Sequence, residues 1–276
     1  MKVFSIIQPS SFLPRRPQED YLLSSKKHPI FTVADGVSLN FKNGETYPNP
    51  SGAAKAAEIL CKAAISEAEK KYDSFGEDNL GEIFKIANKS LTDYNASYGR
   101  TSQTINYFDN DFFSATTAFL LIKGKKAYWY SLCDSGMVVF NKNGHKILSS
   151  PITSPLKGKF LPTGWKRMNP ENRAKVMHTH RNIVGQNGEL LGYGVADGEE
   201  KAVNYLNFGT VNLNDGDMVI VYTDGFEDYL ALEEFNKLFL EWPADLKKQL
   251  NSITARMAKK SKKKYGLERS LTAIKI

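Results

Sequence analysis

A chain of 276 residues with 41% hydrophobic, 12% aromatic and 24% charged residues has the composition of a folded protein, which excludes bulk disorder and collagen-like or low-complexity classes. No run approaches the roughly 20 apolar residues of a membrane helix, and two cysteines, Cys61 and Cys133, supply neither a disulfide framework nor a four-thiolate zinc site. The net charge of +7 is unevenly spread: nine Lys/Arg and one acid between residues 142 and 185, eight Lys/Arg and no acid between 246 and 267, and therefore −9 over the remainder.

The first apolar run, Lys2–Ile7, reads as a strand and stops at Gln8-Pro9, too short for a secretory signal. A cytoplasmic protein without a membrane partner is expected. Ile30–Ala34 is a second strand, closed by Asp35-Gly36. A helix follows Pro50-Ser51, with Ser51 as N-cap and Ala53, Ala57, Leu60, Cys61 and Ala64 at helical spacing. Asn79–Tyr94 carries a second apolar stripe through Leu80, Ile83, Phe84, Ala87 and Leu91.

The period then changes from helical to alternating. Ser114–Ile122, Lys126–Asp134, Met137–Phe140 and Lys146–Leu148 read as a meander of antiparallel strands, turned back at Asn143-Gly144. Pro151 to Asn182 reads as a long, basic, irregular insertion, with His178 and His180 on one face of a short strand. Met218–Tyr222 is a strand ending at Thr223-Asp224-Gly225. A basic helix carries Leu246, Leu250, Ile253 and Met257 on one face, and Leu271–Ile276 is the last strand. Strands in two groups separated by helices predict an α+β fold of antiparallel sheets rather than a βαβ alternation.

Three aspartates, Asp35, Asp134 and Asp224, each follow an apolar strand and precede a glycine or serine. A strand end beside a sharp turn lets a carboxylate face a cleft. Several carboxylates in one cleft repel unless a cation neutralises them, and all-oxygen donors favour Mg²⁺ or Mn²⁺ over zinc.

These residues resemble the motifs of the metal-dependent Ser/Thr protein phosphatases of type 2C. Arg15-Arg16-Pro17-Gln18-Glu19-Asp20 is similar to the family's Arg-x-x-x-Glu-Asp opening, and Val33-Ala34-Asp35-Gly36 to its V-x-D-G motif. Ser114-Ala115-Thr116-Thr117-Ala118 with Cys133-Asp134-Ser135 resembles its G-S-T-A and G-D-S pair. Gly216-Asp217 with Thr223-Asp224-Gly225-Phe226-Glu227-Asp228 resembles its G-D and S-D-G-x-x-D motifs.

The resemblance implies a single domain over residues 1–276: a four-layer α-β-β-α sandwich, two central antiparallel sheets flanked by helix pairs, with a basic flap-like insertion at about 150–185. It implies hydrolysis of phosphoserine and phosphothreonine esters by a metal-activated water, with two Mn²⁺ or Mg²⁺ ions and positions for a third. Asp35 would bridge two ions, with the Gly36 carbonyl on the second and Asp224 on the first. Glu19 and Asp20 lie beside the metals, Asp134, Asp224 and Asp228 match a third site, and Arg15 matches the arginine that clamps substrate phosphate, a role its guanidinium fork suits. No thiol nucleophile is required, so Cys61 and Cys133 read as core.

Two departures stand out. Val37-Ser38-Leu39 follows Asp35-Gly36 where many members carry Gly-Gly, and a histidine found there in some members is absent. The family's closing Asp-Asn/Asp-x-Thr motif is also missing. In Leu267-Glu268-Arg269-Ser270-Leu271-Thr272, aligning Ser270 with the motif threonine puts Leu267 at the ligand position, and aligning Thr272 puts Arg269 there. Glu268 is the only carboxylate nearby, either a substitute metal ligand or a loop glutamate.

The alternative function is a catalytically impaired phosphatase fold that binds phosphoprotein or a regulatory partner. The basic insertion points to acidic or multiply phosphorylated protein substrates. Nucleic acid is not the expected partner, because no recognition helix or aromatic–basic RNA signature accompanies the basic runs.

Overall fold

Continuous apolar runs, buried on both faces, form the central strands of this molecule. The computed structural model describes residues 1–14, 16–37, 50–107, 110–153 and 170–276, the last from Pro170 to Arg173 by backbone only. In chain order the elements are β1 (Lys2–Gln8), β2 (Asp20–Ser24), β3 (Ile30–Gly36), α1 (Gly52–Lys71), α2 (Asn79–Ala96), β4 (Ala115–Lys123), β5 (Lys126–Leu132), β6 (Gly136–Phe140) and β7 (Lys146–Ser149). There follow α3 (Pro170–His180), β8 (Asn207–Asn212), β9 (Met218–Tyr222), α4 (Glu233–Glu241), α5 (Leu246–Lys260), α6 (Lys262–Tyr265) and β10 (Arg269–Lys275).

The strands form two antiparallel sheets of five, in the orders β1-β10-β9-β6-β7 and β2-β3-β4-β5-β8. Alternate residues of each strand serve two different cores. In β3, Ile30 and Ala34 pack under α1 and α2, with Leu60, Phe84 and Leu91. Phe31 and Val33 point the other way and meet Val139, Val219, Val221 and Ile274 between the sheets. In β9, Met218, Ile220 and Tyr222 pack under α4 and α5, with Phe235, Phe239 and Leu250. The result is the expected four layers, helix pair, sheet, sheet, helix pair.

Local chemistry starts α1 where the sequence predicts. Ser51 has an extended backbone (φ −73°, ψ 163°), its hydroxyl accepts the Ala54 N–H, and Lys70 and Lys71 sit in the last turn, where cations favour the helix dipole.

Several expectations change in the folded chain. The predicted meander is not one sheet: β4 and β5 belong to one and β6 and β7 to the other, and the chain crosses between them at Cys133–Ser135. Cys133 takes a left-handed backbone (φ 65°) to do so, a conformation a non-glycine residue holds only under surrounding constraint. The insertion is not wholly irregular, since α3 occupies Pro170–His180 and places His178 and His180 on a helix rather than a strand. The strands β2 and β8 and the helix α4 add to the predicted elements. β2 and β8 lie at the edges of their sheet and are only partly buried, which dilutes their apolar alternation. Among the described residues no helix is long and apolar enough to cross a membrane.

Candidate active site

The inter-sheet face turns polar at one end. Asp20 follows the alternation of Leu22 and Asp35 that of Phe31 and Val33, so both face the gap between the sheets, and the two are register partners across β2 and β3. Asp35 in turn opposes Thr116 on β4. Thr116 Oγ1 lies 2.7 Å from Ser135 Oγ, immediately after the crossing that carries Asp134. From the other sheet Thr223, at the end of β9, donates its hydroxyl to Asp20 Oδ2 at 2.6 Å and accepts the Ser270 N–H at 2.8 Å. Asp224 follows directly.

These carboxylates share one electrostatic field. Burial pushes the Asp35 carboxyl well above its usual range, and the negative charges of Asp20, Asp224, Asp134 and Glu268 push it further, in that order. Asp20 is raised chiefly by burial, then by Glu268, against the stabilising Thr223 hydroxyl. Carboxylates so placed hold protons or cations, not net charge.

Two glycines let the strand ends close. A Cβ on Gly36 would sit 2.6 Å from the Ala53 carbonyl oxygen in the first turn of α1, and one on Gly225 would sit 1.9 Å from the Glu268 carbonyl oxygen. Only glycine admits these backbone approaches.

Glu19 is buried, and its carboxylate accepts the hydroxyl of Ser51, the N-cap of α1. It thus ties β2 to the helix layer. Glu268 is neither an exposed loop glutamate nor open on both oxygens: its Oε1 accepts the backbone N–H groups of Glu19 and Asp20 and the Gln18 side-chain amide. Burial still raises its carboxyl above the ordinary range, with those N–H groups opposing. The sequence gives no warning of this role, since the partners lie about 250 positions away.

Asp228 is exposed, with Lys264 Nζ 3.5 Å from its carboxylate. It does not join the charges that dominate Asp35. Arg269 donates from its guanidinium to the Tyr229 hydroxyl and the Tyr265 carbonyl and lies over the Phe226 and Tyr229 rings. Arg15 lies outside the described residues, as do 154–169 of the insertion. Thr223, Ser270, Thr116 and Ser51 are site neighbours to which the sequence motifs assign no role in the cleft. Thr223 adjoins Asp224 and Ser51 caps the adjoining helix, whereas Thr116 and Ser270 reach the site only through strand pairing.

The donor set suits a hard divalent cation, being carboxylates from Asp35, Asp134 and Asp224 with the Gly36 carbonyl nearby. Among the described residues no three His, Cys, Asp or Glu side chains are closed into a coordination shell.

The sequence profile of protein phosphatase 2C matches residues 15–272. The chain belongs to the protein phosphatase 2C family. It is therefore a metal-dependent Ser/Thr protein phosphatase by family, with Mn²⁺ or Mg²⁺ as cofactor and phosphoproteins as substrates. Solved structures share its fold at low identity. The Mycobacterium tuberculosis serine/threonine phosphatase PstP/Ppp aligns over 100% of this chain and 98% of its own at 13% identity, TM-score 0.60. The PstP catalytic domain in complex with two manganese ions aligns over 99% and 96% at 13% identity, TM-score 0.56. PppA, a regulatory component of type VI secretion in Pseudomonas aeruginosa, aligns over 100% and 97% at 11% identity, TM-score 0.59. No curated protein matches the sequence.

Proposed function

We propose that this type 2C phosphatase hydrolyses its phosphoester at the cleft between the sheets, working as one unit over residues 1–276. The observation that carries the assignment is the opposition of Asp20 and Asp35 within the field of Asp134 and Asp224. Asp35, Asp224 and the Gly36 carbonyl would hold the metal pair, with Asp134 adjoining. Asp228, though exposed, could complete a third site only by leaving Lys264.

A bound ion pair supplies an acidified water as nucleophile and charge that offsets the phosphoryl oxygens. The chain's own residues do the rest. Asp20, held by the Thr223 hydroxyl and braced by Glu268, fixes the start of β2 beside Asp35. Glu19, held by Ser51, keeps β2 against α1. Arg15, four residues before Glu19, would take the phosphate dianion in its guanidinium fork.

The basic insertion at about 150–185 is the element we assign to acidic or multiply phosphorylated substrates, its charge concentrating them beside the cleft. The two buried free cysteines suit a reducing cytoplasm. The test is hydrolysis of p-nitrophenyl phosphate and of a phosphothreonine peptide with Mn²⁺, with and without chelator. Chelator-sensitive release of phosphate is expected. Binding of the peptide without phosphate release would instead favour the impaired, phosphoprotein-binding reading.

A further inference from the structure

β1 is the edge of its sheet. β10 pairs Lys2–Gln8 along one side, and among the described residues no strand pairs the other. A groove of about 720 Å³ runs between β1 and α5. Ser5, Ile6 and Ile7 are consecutive, so their side chains point to alternate faces, yet all three line the groove. It therefore follows the edge of the strand rather than one face of the sheet.

The groove's charge has one sign. Lys247, Lys259, Lys262 and Arg269 line it, and no carboxylate does. Arg256 on the same helix is taken up by Glu234, whereas no ion pair among the described residues takes up the three lysines. Arg269 is 3% exposed, and its buried Nε has no hydrogen-bond partner. Gln8 spans strand to helix, donating to Asn251 Oδ1 at 2.8 Å and Thr254 Oγ1 at 3.1 Å, while its buried Oε1 has no partner. An unpaired donor and an unpaired acceptor thus belong to residues lining a cationic groove beside a free strand edge.

We propose that this groove binds an acidic, extended peptide segment of a partner protein, added to β1 as a further strand. Main-chain hydrogen bonds to the strand edge supply affinity, and the lysines select carboxylate side chains. Ile6 on one face of the strand and Ile7 on the other flank the edge and offer apolar contacts to alternate residues of the guest. The proposal does not rest on the catalytic assignment, because none of the groove lysines belongs to the carboxylate cleft.

The test uses the full chain and a fluorescein-labelled octapeptide of alternating Glu and Val, read by anisotropy, with hydrogen exchange followed in parallel. We expect the triple variant Lys247→Ala, Lys259→Ala, Lys262→Ala to bind at least about tenfold more weakly while hydrolysing p-nitrophenyl phosphate at the unchanged rate. Bound peptide should slow exchange of amides within residues 2–8. Equal affinity in the triple variant would overturn the proposal, as would protection confined to other segments. Equally tight binding of the Lys-Val counterpart, or of a DNA duplex displacing the peptide without protecting β1, would also overturn it.

Discussion

Asp20 and Asp35 stand directly opposite one another on paired strands, both turned into the gap between the sheets. Like charges in directly opposed positions destabilise a sheet, so this pair lowers local stability in a way a bound cation would reverse. Asp35→Asn should raise the melting temperature of the metal-free protein by roughly 2–4 °C, about 1 kcal/mol for a chain of this size. The same variant should lose at least about 100-fold in Mn²⁺-dependent rate. Calorimetry in chelator, beside a rate assay, checks both. A lower melting temperature together with retained activity would remove Asp35 from the site.

The pH dependence of the metal-free protein has a definite sign. Asp20 and Asp35 are raised, and burial brings Asp197 up to about 7 despite Arg181 nearby. Above the ordinary carboxyl pKa of about 4, the folded state binds more protons than the unfolded, so stability falls as pH rises. Glu58 and Glu69 are shifted the other way, Glu58 first by Lys55 and Glu69 first by Ser25. Both are solvent-screened and weigh little. Urea midpoints in chelator should therefore fall from pH 5 to pH 7.5, and Mn²⁺ should flatten the fall. A flat chelator curve would contradict the buried charge cluster.

Glu268 is expected to act through the backbone it holds. Glu268→Ala strands the N–H groups of Glu19 and Asp20 and should cost about 2–4 kcal/mol. Glu268→Gln keeps an acceptor and should cost about 1 kcal/mol. Both should raise the Mn²⁺ concentration for half-maximal rate, the alanine variant more. A direct metal ligand predicts instead equal losses of metal affinity with stability kept, which Mn²⁺ titrations and denaturation curves of the two variants distinguish.

Gly225→Ala drives a methyl to 1.9 Å from the Glu268 carbonyl oxygen and 2.7 Å from Arg269 Cβ. Backbone must move, displacing Asp224 and Glu268 together, at a cost of about 3 kcal/mol with loss of turnover. Gly76→Ala, which meets nothing within 4 Å, is the control and should change stability by less than about 1 kcal/mol. Parallel urea melts decide it.

The cysteines should be chemically silent. Burial pushes the Cys61 thiol up to about 12 and the Cys133 thiol well above its usual range. Iodoacetamide should leave both unmodified by mass spectrometry in the folded protein, and rapid alkylation of either would show that the core opens there.

Local code determined much of this protein. The apolar runs of β3, β4, β9 and β10 and the helical stripes of α1 and α2 are written within single segments, where side-chain direction alternates with a period of two in strands and 3.6 in helices. The same alternation carried Asp35 to its inward face. The Ser51 cap and the turn at Gly144 (φ 82°) are equally local.

Tertiary structure decided what distant pairing controls. It assigned β5 and β6 to different sheets, so that the strained step at Cys133 brings Asp134 to the cleft. It opposed Asp20 to Asp35, and set Asp228 outside beside Lys264. It turned Arg269 toward Tyr229 and gave Glu268 the N–H groups of Glu19 and Asp20. Each outcome depends on the register of strands far apart in sequence, and a side chain's partners across such a pairing are set by the whole packed sandwich rather than by its neighbours in the chain.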